Sequence, residues 1–318
     1  MLTRKNKLFI SKVISLFSVV RGYNIPIIVL AQYLSAIFIL APEKRALSIL
    51  TDLNLLVLVF STTLAIASGY IINSFYDSKK DLINRPNKSI LDRLVSQKTK
   101  LNVYFSLNFI ATVLALFISW RAALFFATYI FLIWFYSHKL KKQLFVGNIM
   151  AALLAILPFF CILLYFYFKL PFEEIENHKD DLAVIFTHAT FLFLLLLIKE
   201  LIKDLENIKG DLANEYRTIP IVYSEMWSKK IVLSLVVASV VPVYLLITIF
   251  DVGYMDSYFY CCLIVLIFFL LKLWKSSTKE QFLTLHTVLK ILIVAGVFCI
   301  VLINPNVLWH GKKLLLNH

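Results

Sequence analysis

The constraint that most limits this chain is the recurrence of apolar windows about 20 residues long from one end to the other. A helix needs about 20 such residues to cross the hydrocarbon, where unpaired backbone groups find no water, so each window reads as a membrane crossing. The expected segments are Ser15–Leu40, Leu53–Phe75, Leu101–Ile118, Ala122–Tyr136, Phe145–Phe168, Leu182–Ile202, Ile231–Phe250, Tyr258–Leu271 and Leu285–Ile303, the fourth and eighth being the shortest. Composition agrees: 60% of the 318 residues are hydrophobic and 16% charged, against about 45–50% and about 25% in soluble domains. The expected fold class is therefore an all-α polytopic membrane protein with nine transmembrane helices.

Basic residues give an independent check, because Lys and Arg concentrate in short cytoplasmic loops. With nine crossings, 22 of the 32 basic residues fall in segments on the N-terminal side, 7 fall opposite, and Arg21, Lys199 and Lys290 lie within spans. The bias places the N-terminus and the two longest polar loops in the cytoplasm, and the C-terminus on the other side of the cell membrane. Positive-inside topology and anionic lipid then account for most of the net charge of +13, and no nucleic-acid partner is needed. The basic start followed by an apolar run resembles a secretory signal. The run continues to Leu40 without a small-residue cleavage site, so it reads as a retained first helix. Cys161, Cys261, Cys262 and Cys299 all fall in apolar spans without metal-ligand spacing and read as packing residues. His138 and His188 likewise lack metal-ligand spacing, and His310 and His318 sit near the C-terminus. No Pro/Gly/Ser-rich linker divides the chain, so residues 1–318 are expected to form one domain. Two acidic loops four spans apart hint at two related halves.

Chemistry concentrates where spans two and six end. In the first cluster Asn73, Asp77 and Asp81 are spaced i, i+4, i+8 and are followed by Arg85 and Lys88; a continuing helix puts all three on one face. Mg2+ favours such oxygen ligands, since it binds one or two carboxylates and completes its shell with water and phosphate oxygens. The plain alternative is that charge merely marks where a helix leaves the bilayer. In the second cluster Glu200, Asp204, Asn207 and Asp211 are spaced 4, 3 and 4 apart, again one face if the helix persists to Gly210. Ionisable groups such as Lys199 and Glu200 at the inner end of an apolar helix are costly unless they line a polar cavity. Lys199, Lys203 and Glu206 could equally form ordinary i, i+3 or i, i+4 ion pairs. Two acidic clusters on one side, each trailed by bases, describe a site for a diphosphate with Mg2+. An allylic ester would leave a carbocation, which Tyr70, Tyr129 or Tyr136 could stabilise. A transporter or channel would instead place its acids near the bilayer midplane. A soluble-type prenyl chain elongase is excluded by the nine apolar spans.

These residues resemble a known family. Asn73-x3-Asp77-x3-Asp81 with Asn84-Arg85-Pro86, and Lys203-Asp204 through Gly210-Asp211 with Arg217-Thr218-Ile219-Pro220, are similar to the paired signatures of UbiA-type intramembrane prenyltransferases. Arg21-x2-Asn24, Tyr136-Ser137, Leu140-Lys141 and Gly147-Asn148 extend the resemblance. It implies a helical bundle with a central cavity, caps formed by the two motif loops, a lateral opening for a lipid tail, and Mg2+-dependent transfer from a polyprenyl diphosphate to a lipophilic acceptor. On that footing Asp77, Asp81, Asp204 and Asp211 are the expected catalytic acids. Asn73, Asp77, Asp81, Asp204, Asn207, Asp211 and Glu200 are the expected metal ligands. Arg21, Asn24, Arg85, Lys88, Lys139, Lys203 and Arg217 are expected to bind diphosphate. Asn207 stands where the family usually has Asp, Gly22 where Pro is common, and Glu215 where Gly is usual. The loop sequences look most like those that prenylate geranylgeranylglyceryl phosphate, with aromatic, quinone-precursor and chlorophyll-type acceptors as alternatives.

Overall fold

The structure, a computed structural model, describes residues 4–169 and 179–309. Its helices are α1 (Arg4–Val19), α2 (Ile25–Ser35, continued by a wider π-type turn over Ala36–Leu40), α3 (Ala46–Leu50), α4 (Leu53–Tyr76), α5 (Ser78–Asn84), α6 (Pro86–Asp92), α7 (Gln97–Ile118), α8 (Trp120–His138), α9 (Val146–Tyr167), α10 (Lys179–Ala213), α11 (Ile219–Val222), α12 (Glu225–Thr248), α13 (Asp256–Lys275) and α14 (Lys279–Cys299). Short polar side chains start several of them by satisfying free N–H groups. Asp52 accepts from the amides of Asn54 and Leu55 at α4, Ser119 from Ala122 at α8, and Thr278 forms a reciprocal capping box with Gln281 at α14.

Among the described residues eight helical segments are long and apolar enough to cross a membrane, built on α4, α7, α8, α9, α10, α12, α13 and α14. The protein is an integral membrane protein, but the first of the nine expected crossings is not one helix. The apolar run breaks after Val19, Arg21 adopts φ 48°, and helix resumes only at Ile25. Ile25–Leu40 is thus a shorter apolar helix, about 24 Å at 1.5 Å per residue. A Cβ on Gly22 would lie 2.2 Å from the Phe17 ring, so glycine permits this reversal where proline is usual. The fourth and eighth expected segments extend to full-length helices, Trp120–His138 and Asp256–Lys275. The expected C-terminal side, with His310 and His318, lies outside the described residues.

The core divides into two large clusters. One joins α10 to α12, α13 and α14 through residues such as Ile198, Val232, Phe259 and Leu289, and the other joins α2, α4, α8 and α9 through Ala36, Leu58, Phe126 and Ile162. Inside α9, Pro158 has no N–H for the carbonyl of Leu154. Tyr129 of α8 supplies the missing donor, its hydroxyl 3.2 Å from that oxygen, while Gln32 of α2 donates to the carbonyl of Pro158 at 3.0 Å. Tyr129 is therefore a buried structural residue rather than a wall of the polar site. The arrangement predicts that Tyr129→Phe lowers stability by about 1 kcal/mol, read by thermal unfolding in detergent. Because Pro158→Ala restores a helix donor for Leu154, the same change should cost measurably less in that background.

Candidate active site

The acids of the two motifs gather at one end of the bundle, not midway along it. Helix α4 ends at Tyr76 and α5 starts at Ser78, yet the i→i−4 hydrogen bonds Asp77–Asn73, Asp81–Asp77 and Arg85–Asp81 run through the junction at 2.8–2.9 Å. Asn73, Asp77 and Asp81 accordingly keep one face, as their spacing predicts. Helix α10 likewise continues past Gly210 to Ala213, so Glu200, Asp204, Asn207 and Asp211 share a face. Both faces meet across a polar cavity lined by Arg21, Lys80, Arg85, Lys141 and Lys203 as cations and by Asp77, Asp81, Glu200 and Asp204 as acids.

Lysines from other segments hold the acids in place. Lys141 Nζ lies 2.6 Å from Asp77 Oδ1 and 3.3 Å from Asn73 Oδ1, and the Tyr216 hydroxyl donates to Asp77 at 2.7 Å. Lys80 lies 2.5 Å from the fully buried Asp211 carboxylate. Asn148 donates to Asp204 at 2.7 Å, and Glu200 pairs with both Lys199 and Lys203. The i, i+3 pairing weighed for Lys203 is therefore present within the cavity wall, whereas Lys199 pairs with its sequence neighbour Glu200 from outside the lining. Burial pushes the Asp77 carboxyl up, but the charges of Lys141 and Lys80 and hydrogen bonds from Lys141 and Tyr216 outweigh it and hold Asp77 below its ordinary value. Asp81 moves the other way, raised by burial and by the charge of Asp77 against Arg21, Arg85 and Lys80. Burial and Asp77 raise the Tyr216 phenol, which keeps its proton for that hydrogen bond.

The first-motif turn is pinned to the second-motif helix. Asn84 accepts from the Gly210 amide at 3.1 Å, and Lys279 donates to the Asn84 carbonyl at 2.5 Å. Arg85 lies 3.2 Å from Glu206, whose other oxygen meets His286 Nδ1 at 2.7 Å. Glu206 is thus a partner for Arg85 and His286, and Arg85 reaches the cavity already paired.

Several expected diphosphate ligands sit elsewhere. Lys139 is exposed outside the cavity lining, because the 3-10 turn Leu140–Lys142 carries Lys141 inward in its place. Arg217 is also exposed, and its amide donates to the carbonyl of Lys142. Here Glu215 adopts φ 59° and the Tyr216 amide bonds back to the carbonyl of Asp211, a left-handed helix stop that explains why glycine is usual there. That stop turns Tyr216 inward and Arg217 outward. Lys88 lies 3.9 Å from Asp92, and Asn24 contacts the Tyr70 hydroxyl at 3.4 Å, both outside the cavity lining. Asp211 is reached through Lys80. Tyr136 lines the cavity, whereas Tyr70 lies beneath the Arg21 guanidinium at 5.1 Å from its ring centre. Lys80, Asn84, Lys141, Gln143, Gly147, Asn148, Tyr216 and Thr218 complete the lining; of these Asn84, Lys141, Gly147, Asn148 and Thr218 were visible only as positions in the resembling motifs.

Among the described residues no three acidic, His or Cys side chains converge as a closed metal site. The lining fits Mg2+ shared with a ligand, because Mg2+ takes one or two carboxylates and fills its shell with phosphate oxygens and water. The buried Asn207 Oδ1, Thr218 Oγ1 and Asn84 Nδ2 have no hydrogen-bond partner, and all three residues line the cavity. Buried polar atoms are normally satisfied; Asn84 Nδ2 and the Thr218 hydroxyl can donate to ligand oxygens, whereas Asn207 Oδ1 accepts and calls for a cation or a donor.

Residues 29–289 match the UbiA prenyltransferase family. The chain belongs to that family. Digeranylgeranylglyceryl phosphate synthase of Thermococcus sibiricus is 32% identical over 198 residues, which cover 61% of this chain and 65% of that protein, just under two thirds of its length. The enzyme of the same name from Sulfurisphaera tokodaii is 25% identical over 230 residues, covering 71% of this chain and 77% of that one. A solved digeranylgeranylglyceryl phosphate synthase superposes with TM-score 0.66 at 20% identity, covering 92% of this chain and 98% of that chain. A UbiA homolog from Archaeoglobus fulgidus bound to GPP and Mg2+ superposes with TM-score 0.63 at 14% identity, covering 90% and 99%. At these identities the superpositions establish the UbiA-like fold.

The contact of Asn84 with Gly210 yields a direct test within this UbiA site. A Cβ at residue 210 would lie 2.3 Å from Asn84 Oδ1, so Gly210→Ala should push α5 away from α10. The expected result is faster backbone hydrogen exchange over residues 78–92 with exchange in α4 unchanged.

Proposed function

We propose that this UbiA-family protein transfers a prenyl group from a polyprenyl diphosphate to a lipophilic acceptor, with geranylgeranylglyceryl phosphate as the favoured acceptor. The observation that carries the reading is the single cavity in which two acid-bearing helix faces meet five cations and three unsatisfied polar atoms. The similarity to digeranylgeranylglyceryl phosphate synthases supports the acceptor.

In this reading Asn73, Asp77 and Asp81 hold one Mg2+ and Asp204, Asn207 and Asp211 a second, with Glu200 available to the latter. Bound there, Mg2+ supplies positive charge to the oxygens of the leaving diphosphate. Lys80, Lys141, Lys203 and Arg21 neutralise those oxygens as the allylic C–O bond breaks and its electron pair passes to the diphosphate. Lys80 and Lys141 pair with Asp211 and Asp77 and exchange those partners for phosphate oxygens when substrate binds. The Tyr136 ring in the cavity wall faces the allylic cation. An acceptor hydroxyl then attacks the carbon, forming an ether, and its proton passes to the departed diphosphate. The pinned α5 segment, which brings Lys80, Asp81 and Asn84 into the lining, keeps water from competing for the cation.

We place nine crossings in this protein, counting Ile25–Leu40 with the eight long helices, and set the N-terminus and the cavity on the cytoplasmic side. The skew of basic residues supports that orientation. The C-terminus would then lie opposite.

Purified protein supplied with Mg2+, geranylgeranyl diphosphate and a panel of glyceryl-lipid, aromatic, quinone-precursor and chlorophyll-type acceptors should release diphosphate fastest with the glyceryl lipid. Asp204→Asn combined with Asp211→Asn should lower turnover by at least about 100-fold, Glu200→Gln should be intermediate, and Asn207→Asp should be tolerated. Near-normal turnover in the double variant would sink the two-cluster reading. Ion flux without prenyl transfer would replace it with a transporter.

A further inference from the structure

Helix α1 faces the protein with Ser15, Leu16, Ser18 and Val19 and turns a second, wholly apolar stripe away from it. The Ser15 hydroxyl donates to the carbonyl of Leu91 at 2.7 Å, and the Ser18 hydroxyl donates to Asp92 at 2.8 Å. On the outward face, Ile10, Val13, Ile14 and Phe17 recur at i, i+3, i+4 and i+7 and are 41%, 51%, 53% and 57% exposed. The neighbouring α6 adds exposed Ile90, with Leu94 just beyond it.

The depth of this surface is fixed by what α1 packs against. Leu16, Val19 and Val20 share one apolar cluster with Ile71, Ile72 and Phe75 in the last turns of α4 and with Leu101 and Tyr104 in the first turns of α7. Those turns lie where two long apolar helices end, so the outward stripe lies at the edge of the hydrocarbon. Its surroundings are basic. The sequence places Arg4, Lys5, Lys7 and Lys12 on α1, and Lys88, Arg93 and Lys98 on and after α6. The one acid on these two helices, Asp92, is taken up by Ser18 and Lys88. An apolar stripe flanked by Lys and Arg at that depth has the character of a helix lying in the plane of the membrane.

We propose that α1, together with the exposed edge of α6, docks on the anionic lipid surface of the leaflet on the cavity side. Ile10, Val13, Ile14 and Phe17 enter the acyl boundary while the basic residues meet lipid phosphates. The surface is coupled to the cavity at two places. Arg21, two residues beyond the end of α1, lines the cavity, and α6 continues directly from Arg85 through Pro86. Lipid docking therefore holds the cap of the site, whatever reaction the site performs.

Spin labels at Ile10→Cys, Ile14→Cys and Lys12→Cys test this in the full chain, on a Cys261→Ser, Cys299→Ser background. The protein is reconstituted at low density in phosphatidylcholine vesicles with and without phosphatidylglycerol. Oxygen should broaden the labels at residues 10 and 14 several-fold more than a water-soluble nickel chelate does, with the reverse at residue 12. That contrast should widen when phosphatidylglycerol is present. Nickel reaching residues 10 and 14 as readily as residue 12 would overturn the proposal, as would indifference to phosphatidylglycerol. Dipolar broadening between copies would reassign the stripe to a second protein chain. Val13→Cys supplies an independent position should either isoleucine variant fail to insert.

Discussion

A charge at the edge of the hydrocarbon must find a partner, and the ion pairs that meet this demand organise the site. Lys141 serves Asp77, Lys80 serves Asp211, Lys199 and Lys203 serve Glu200, and Arg85 with His286 serves Glu206. Removing one member of such a pair leaves the other buried and uncompensated, which is far more costly than losing a surface pair. Two faces rich in carboxylates would otherwise repel each other. The lysines between them let α4–α5 and α10 approach closely enough to share one cavity.

The same economy operates in the apolar body of the bundle, where the unsatisfied group is a backbone carbonyl. Pro158 frees the carbonyl of Leu154, and Tyr129 and Gln32 answer from α8 and α2. These contacts tie the first-half helices into the unit that carries Asn73 and Asp77. The second core carries Glu200 to Asp211, so the cavity lies on the seam between two separately packed clusters. Asn84, Arg85 and Lys279 bridge that seam at its polar end.

The departures from the family pattern have local physical meanings. Glu215 stands in a left-handed stop normally given to glycine, and the stop survives because Tyr216 is drawn inward to Asp77. Asn207 removes one negative charge from a wall that already faces five cations. A cavity so balanced is suited to a ligand that brings several negative charges of its own.

The sequence by itself determined the class of fold and the phase of the site. Hydrophobic windows located the long helices, the expected Leu53–Phe75 differing from α4 by one residue. Spacing placed Asn73, Asp77 and Asp81 on one face and Glu200 through Asp211 on another, because helical periodicity is a local property of the chain. The break after Val19 escaped a hydropathy window, which averages over the single positive φ at Arg21 that ends the helix. Tertiary structure alone decided which base serves which acid. Lys139 and Lys141 are equivalent as charges, and only the turn after α8 directs the second toward Asp77. Tyr216 reaches that same carboxylate from 139 residues away, and Asn84 reaches Gly210 from 126. No spacing rule extends over such separations, since they are set by how α4, α8 and α10 pack.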